Sequence, residues 1–221
     1  MVRLTGATRL PLDGTPQCTV RSVVGDERLP VGTQDATHVG AVGRGRFALS
    51  VPDGRRYEVG PGMWFVAPGR AHLAPVGVDD DEPAAVVVTV DGWRGLFALG
   101  GPVEDRGRLT YIDGCTDTVL APPPRRGDPC LNLLVVPPHT DQTTHHHPSL
   151  RAGIVVAGTG RCEHAGGPLA LEPGVVWCIP AGVEHAFHTG ADSLAVVAFH
   201  PDSDTGPTDD DHPMRNRTLI G

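Results

Sequence analysis

Short apolar runs recur along the chain at residues 84–90, 131–136, 154–156 and 194–199, built mainly from Val, Leu, Ile and Ala. Such runs, bounded by turn residues, read as buried strands and are too short for ordinary helices. Residues 79–83 read as a loop ahead of a buried strand over 84–90, and residues 91–107 as a linker holding one short helix at most. The 29 Gly and 22 Pro are spread through the whole chain. They imply many tight turns, and with the apolar runs they point to an all-β protein rather than a disordered one.

Two stretches resemble one another in order and spacing. Val42-Gly43-Arg44-Gly45-Arg46 leads to Gly60-Pro61-Gly62, an apolar run containing Trp64, then Pro68 and His72. Ala157-Gly158-Thr159-Gly160-Arg161 leads to Glu172-Pro173-Gly174, an apolar run containing Trp177, then Pro180 and His185. An ordered recurrence of this kind indicates duplication of one structural unit. It predicts two modules, residues 1–105 and 106–221. A length of 221 residues accommodates two small modules or one large one.

Charge narrows the function classes. Eighteen basic residues, all Arg, stand against 26 acidic ones for a net charge of −8, with no basic cluster to contact a phosphate backbone. No apolar stretch is long enough to span a membrane, and Met1 to Gly14 lacks the apolar core of a signal peptide. The expectation is a soluble, cytoplasmic protein. Cys18, Cys115, Cys130, Cys162 and Cys178 form no CxxC pair and read as free buried thiols. The ending, Pro201 to Gly221, is rich in Asp, but its spacing departs from a calcium loop and reads as a solvated tail.

Most of the eleven histidines lie beyond residue 138. In Thr143-Thr144-His145-His146-His147-Pro148, an extended backbone turns His145 and His147 to one face and His146 to the other. His185, just after the Pro180-Ala181-Gly182 turn, can reach that pair across a hairpin. Three neutral imidazoles leave open positions on a shared ion, as a catalytic site requires.

These residues resemble the two motifs of the cupin family. His145-x-His147 followed by Gly158 is similar to the first motif; Gly174, Pro180, Gly182 and His185 keep every spacing of the second, Gly-x5-Pro-x-Gly-x2-His. The resemblance covers residues 130–200, with a weaker echo over 40–90, as in bicupins. It implies an all-β fold of two tandem jelly-roll barrels, with a metal on His145, His147 and His185 in the second. There are departures. Arg151 stands where the first motif has Glu, His139 where it opens with Gly, and Thr189 where the second motif ends on Asn. Glu163, Glu184 or Asp141 replaces the missing acid only if the loops bend suitably. Arg151 either enters the barrel to hold an anionic substrate or points outward to a salt bridge. The first module lacks the site: its counterparts of His145 and His147 are Pro30 and Gly32, the acid position is Ala36, and only His72, shifted by one residue, and His38 remain. That half is expected to bind no metal and to act as a packing partner or dimer surface, the chain forming a homodimer.

A small-molecule substrate is expected, with Arg151, Trp177, Phe187, His188 and His200 as candidate lining groups and His200 as the hydrogen-bond donor behind the metal. Trp177 and Phe187 also read as core. Iron(II) is the favoured ion, with zinc, nickel, copper or manganese as alternatives. The leading expectation is an iron-dependent oxygenase. A non-redox isomerase, lyase or decarboxylase and a non-catalytic ligand-binding barrel are the alternatives.

Overall fold

A computed structural model of the chain describes all residues except 5–8, 13–16, 26–28, 32–33, 78–81, 213, 216–217 and 220–221. It is all-β. The first half carries β1 (Val2–Leu4), β2 (Arg9–Leu12), β3 (Cys18–Val24), β4 (Leu29–Val31), β5 (Thr37–Arg44), β6 (Phe47–Ser50), β7 (Arg56–Val59), β8 (Trp64–Pro68), β9 (Ala71–Pro75), β10 (Ala84–Val90) and β11 (Ala98–Gly100). The second carries β12 (Leu109–Thr110), β13 (Thr116–Ala121), β14 (Cys130–Val136), β15 (Arg151–Gly158), β16 (Gly160–His164), β17 (Leu169–Leu171), β18 (Val176–Ile179), β19 (His185–His188) and β20 (Leu194–His200). A 3-10 turn over Ile112–Gly114 precedes β13.

The strands form two sandwiches, each a large sheet on a small one. The first joins β11-β8-β5-β10-β3-β2 to β4-β9-β6-β7; the second joins β1-β18-β15-β20-β14-β13-β12 to β17-β16-β19. The first strand thus crosses over, extending the second sandwich by pairing Arg3 with Trp177 on β18. The expected linker holds a strand, β11, hydrogen-bonded to β8, and no helix. Most of the loop expected at 79–83 lies outside the described residues.

The central strands β10, β15 and β20 of the large sheets are apolar on both faces because both faces are buried. On β15, Ala152, Ile154 and Val156 belong to a core shared by the two barrels, while Val155 belongs to the core inside the second. On β20, Val197 and Phe199 face the partner barrel, and Leu194, Val196 and Ala198 face inward. Val39, Val86 and Val88 complete the shared core from the first barrel, whose own interior holds Phe47, Leu49, Phe65 and Leu73. Strands covered on both sides lose the polar alternation of a half-exposed sheet.

The internal repeat is visible in hydrogen bonds. Gly62 N–H donates to Val42 O and Val42 N–H to Met63 O; Gly174 N–H donates to Val155 O and Val155 N–H to Val175 O. Both turn glycines have positive φ, 74° and 88°, which other residues seldom adopt. Gly40 on β5 faces Phe65 and Gly153 on β15 faces Trp177 in matching registers. The two tryptophans are not equivalent: Phe65 holds the place of Trp177, and Trp64 packs on the shared core instead. Gly43 serves a further need, since a Cβ there would lie 2.7 Å from both Gly174 N and Val155 O of the second barrel.

Candidate metal centre

His145 and His185 face each other as an antiparallel bridge, each N–H donating to the other's carbonyl at 3.0 and 2.9 Å. Asp141 bridges His188 four residues earlier on one side but only three later on the other. The extra residue is a bulge, stabilised by Gln142, whose N–H donates to Phe187 O while its Oε1 accepts from Phe187 N–H. His147 is fastened by Gly182 N–H donating to its carbonyl. The Asp113 carboxylate accepts from Thr143 N–H and Oγ–H, holding this segment to the 3-10 turn.

The expected alternation follows. His145 and His147 lie together with ring centroids 5.1 Å apart, His185 lies 4.5 and 5.2 Å from them, and His146 is exposed. The three residues offer ligand nitrogens within 4.8 Å of one another. The tautomers of two are fixed: Nδ1–H of His145 donates to Thr143 O and Nδ1–H of His185 to Val183 O, each at 2.9 Å. Nε2 of each therefore presents its lone pair, the arrangement that imidazole ligation of a metal needs. Burial, aided by the Arg151 cation and neighbouring imidazoles, holds His147 down at about 3. Burial also holds His185 down at about 4, against the opposing pull of its bond to Val183 O. Both rings stay neutral across the physiological range and need shed no proton to bind an ion. The donor set and its spacing fit one divalent transition metal.

The histidines border a cavity of about 400 Å³ inside the second barrel. Arg151 enters it, settling the direction that sequence left open, because Ala152 and Ile154 on the same strand fill the shared core. Its Nη1 donates to Ser149 O, Ser149 Oγ and Leu150 O, which fixes the guanidinium. Trp177 and Phe187 line the cavity and also belong to the core, their rings 6.0 Å apart. His200 lines it too, held down at about 3 by burial, Arg151 and His147.

Several expectations need correction. His200 makes no hydrogen bond to the three histidines; the carbonyls of Thr143 and Val183 occupy that role. His188 faces away from the cavity, donating to Asp141 Oδ1 at 3.0 Å, because neighbours in a strand alternate. No carboxylate joins the histidine group among the described residues. Glu184 is exposed, Glu163 pairs with Arg161, and Asp141 is taken up with His188. His139, where the first motif opens with Gly, has a left-handed φ of 56°. The Thr189 hydroxyl donates to Pro137 O and accepts from Thr140 N–H, tying the two motif ends together.

In the first barrel, matching registers put Ala71 at the place of His185 and leave His72 on the outer face, exposed. A shift of one residue along a strand exchanges faces. His38 holds the place of Arg151, but Nε2–H donates to Gly69 O and Nδ1 accepts from Thr89 Oγ–H, closing that interior. Gly32 lies outside the described residues.

Sequence reasoning missed Tyr111, Asp117 and Asn132, which also line the cavity, the Tyr111 ring 6.4 Å from that of His145. The Asn132 amide donates to both carboxylate oxygens of Asp117, at 3.0 and 3.1 Å. A polar side chain inside the apolar run Cys130–Val136 was the available signal.

Residues 132–200 match the family model of the cupin domain. The fold is similar to that of a cupin 2 conserved barrel domain protein from Leptotrichia buccalis (TM-score 0.60, 13% identity, 88% of each chain). It is also similar to a salicylate 1,2-dioxygenase from Pseudaminobacter salicylatoxidans (TM-score 0.61, 14% identity, 87% of this chain and 76% of that one). A putative glyoxylate induced protein from Pseudomonas aeruginosa is a third structural match (TM-score 0.59, 14% identity, 91% and 81%). No match is found among curated protein sequences. Among the described residues no helix is long and apolar enough to cross a membrane.

Proposed function

From a chain of cupin fold whose second barrel carries the matched cupin domain, we propose a metal-dependent oxygenase that binds iron(II) on His145, His147 and His185 and acts on a small organic anion. The observation that carries this reading is the convergence of three imidazoles on the wall of a cavity, with no carboxylate joining them among the described residues. Iron bound there would supply the redox chemistry with dioxygen by which an organic substrate is oxidised or cleaved. A structural neighbour named as a salicylate 1,2-dioxygenase supports the reaction class.

The protein's own residues bind and orient. Arg151, fixed by three hydrogen bonds and buried beside His147 and His200, presents a cation to an acidic group of the substrate. Leu134, Ile179, Val196 and Ala198 give the cavity an apolar lining, against which the body of the substrate rests. The neutral rings of His147 and His185 keep their lone pairs for the ion.

Metal analysis of the purified protein, followed by oxygen uptake with a panel of small aromatic and aliphatic acids after loading with iron, tests the proposal. His147→Ala and His185→Ala are each expected to lower metal content at least about tenfold. Full turnover with zinc in the absence of oxygen would replace the oxygenase reading with a non-redox one.

A further inference from the structure

Strands β13, β14 and β15 bring an unbalanced set of hydrogen-bonding groups to the cavity lining. Asn132 Nδ2 donates to both carboxylate oxygens of Asp117, and this contact fixes the amide orientation, since an oxygen turned toward the carboxylate would be repelled. The Asn132 Oδ1 is then a buried acceptor without a partner. Beside it the Asp117 carboxylate, half-buried and lining the same cavity, takes no side-chain hydrogen bond but those from Asn132. In the same sheet, with β20 between them, Arg151 on β15 has the opposite deficit: its Nη1 is engaged, and its buried Nε–H has no acceptor among the described residues. A buried polar group left unpaired costs about 1–3 kcal/mol, so a ligand that completes both ends gains at both.

We infer that the cavity selects a small, ring-sized carboxylate that also carries a hydrogen-bond donor, with Arg151 taking the carboxylate and the Asn132–Asp117 pair taking the donor. This rests on the reading of the cavity as a substrate site and makes Asn132 and Asp117 its specificity determinants. A volume of about 400 Å³ with Leu134, Ile179 and Val196 in its lining suits an apolar ring between the two polar ends. The donor is a hydroxyl or an amino group, since either satisfies an amide oxygen next to a carboxylate. Discrimination arises because a ligand lacking the donor leaves the buried Asn132 Oδ1 unpaired.

Titration calorimetry with benzoate, its three monohydroxy isomers and its three monoamino isomers tests the inference on the full-length protein. At least one substituted acid is expected to bind about tenfold or more tightly than benzoate, equivalent to about 1.4 kcal/mol. Asn132→Leu should bring that ratio to within about twofold, and Arg151→Met should weaken every acid together. If Asn132→Leu melts too low to be titrated, Asp117→Asn keeps the volume and is expected to reduce the ratio at least about threefold. Benzoate binding as well as every derivative, a preference that survives both substitutions, or no acid binding below about 10 mM would each overturn the inference. Metal content is measured on the same samples. A preference retained in protein that takes up no metal leaves this inference standing and removes the oxygenase; oxygen consumption without any preference does the reverse.

Discussion

Gly153 is the position where one added methyl group tests the architecture of the site. A Cβ there would run into the carbonyl oxygen of Val197 on β20 and lie 2.7 Å from Cζ2 of Trp177. Neither wall yields easily: β20 sits between β14 and β15 in the large sheet, and Trp177 is 2% exposed. Inserting atoms into a packed core costs about 1–3 kcal/mol, and two fixed walls place Gly153→Ala at the upper end, about 3 kcal/mol. For a chain of this size that lowers Tm by roughly 6–12 °C. Because Trp177 also lines the cavity, its emission should shift as well. Differential scanning fluorimetry against Gly190→Ala, whose added Cβ meets nothing within 4 Å, provides the control. The repeat extends the prediction: Gly40→Ala, pressed against Phe65 and Val86 O, should cost a similar amount. A Gly153→Ala protein that melts within about 1 °C of the parent, with unchanged emission, would refute the packing described for this wall.

Three further outcomes are expected. His139 holds a left-handed φ of 56°, so His139→Gly should stabilise the protein by about 1 kcal/mol in chemical denaturation, and a loss of stability would show that its side chain matters more than its backbone. Burial holds His38 down at about 4 against an ordinary 6.5. The unfolded chain therefore takes up a proton that the folded one refuses as pH falls through that window. His38 contributes about 2 kcal/mol of lost stability by pH 5, which His38→Asn should remove from the difference between unfolding at pH 7.5 and pH 5. A fragment of residues 106–221 uncovers Leu131, Leu133, Ile154 and Val197 of the shared core and should be insoluble; a monomeric, cooperatively melting fragment would contradict the shared core.

The sequence by itself determined the fold class, the repeat and the three histidines. Each is written in local chemistry: apolar runs between Gly and Pro, the left-handed turns at Gly62 and Gly174, and the alternation that separates His146 from its neighbours. Only the tertiary structure decided which way Arg151 and His200 point, because β15 and β20 are apolar on both faces and no local pattern distinguishes the barrel interior from the shared core. The same cause hid Asn132 and Asp117, whose pairing across β13 and β14 is a matter of register rather than sequence distance. It also made Trp64 and Trp177 look equivalent when they face different cores. His72 and His185 likewise part ways by a single residue of register, which carries one to solvent and the other into the cavity.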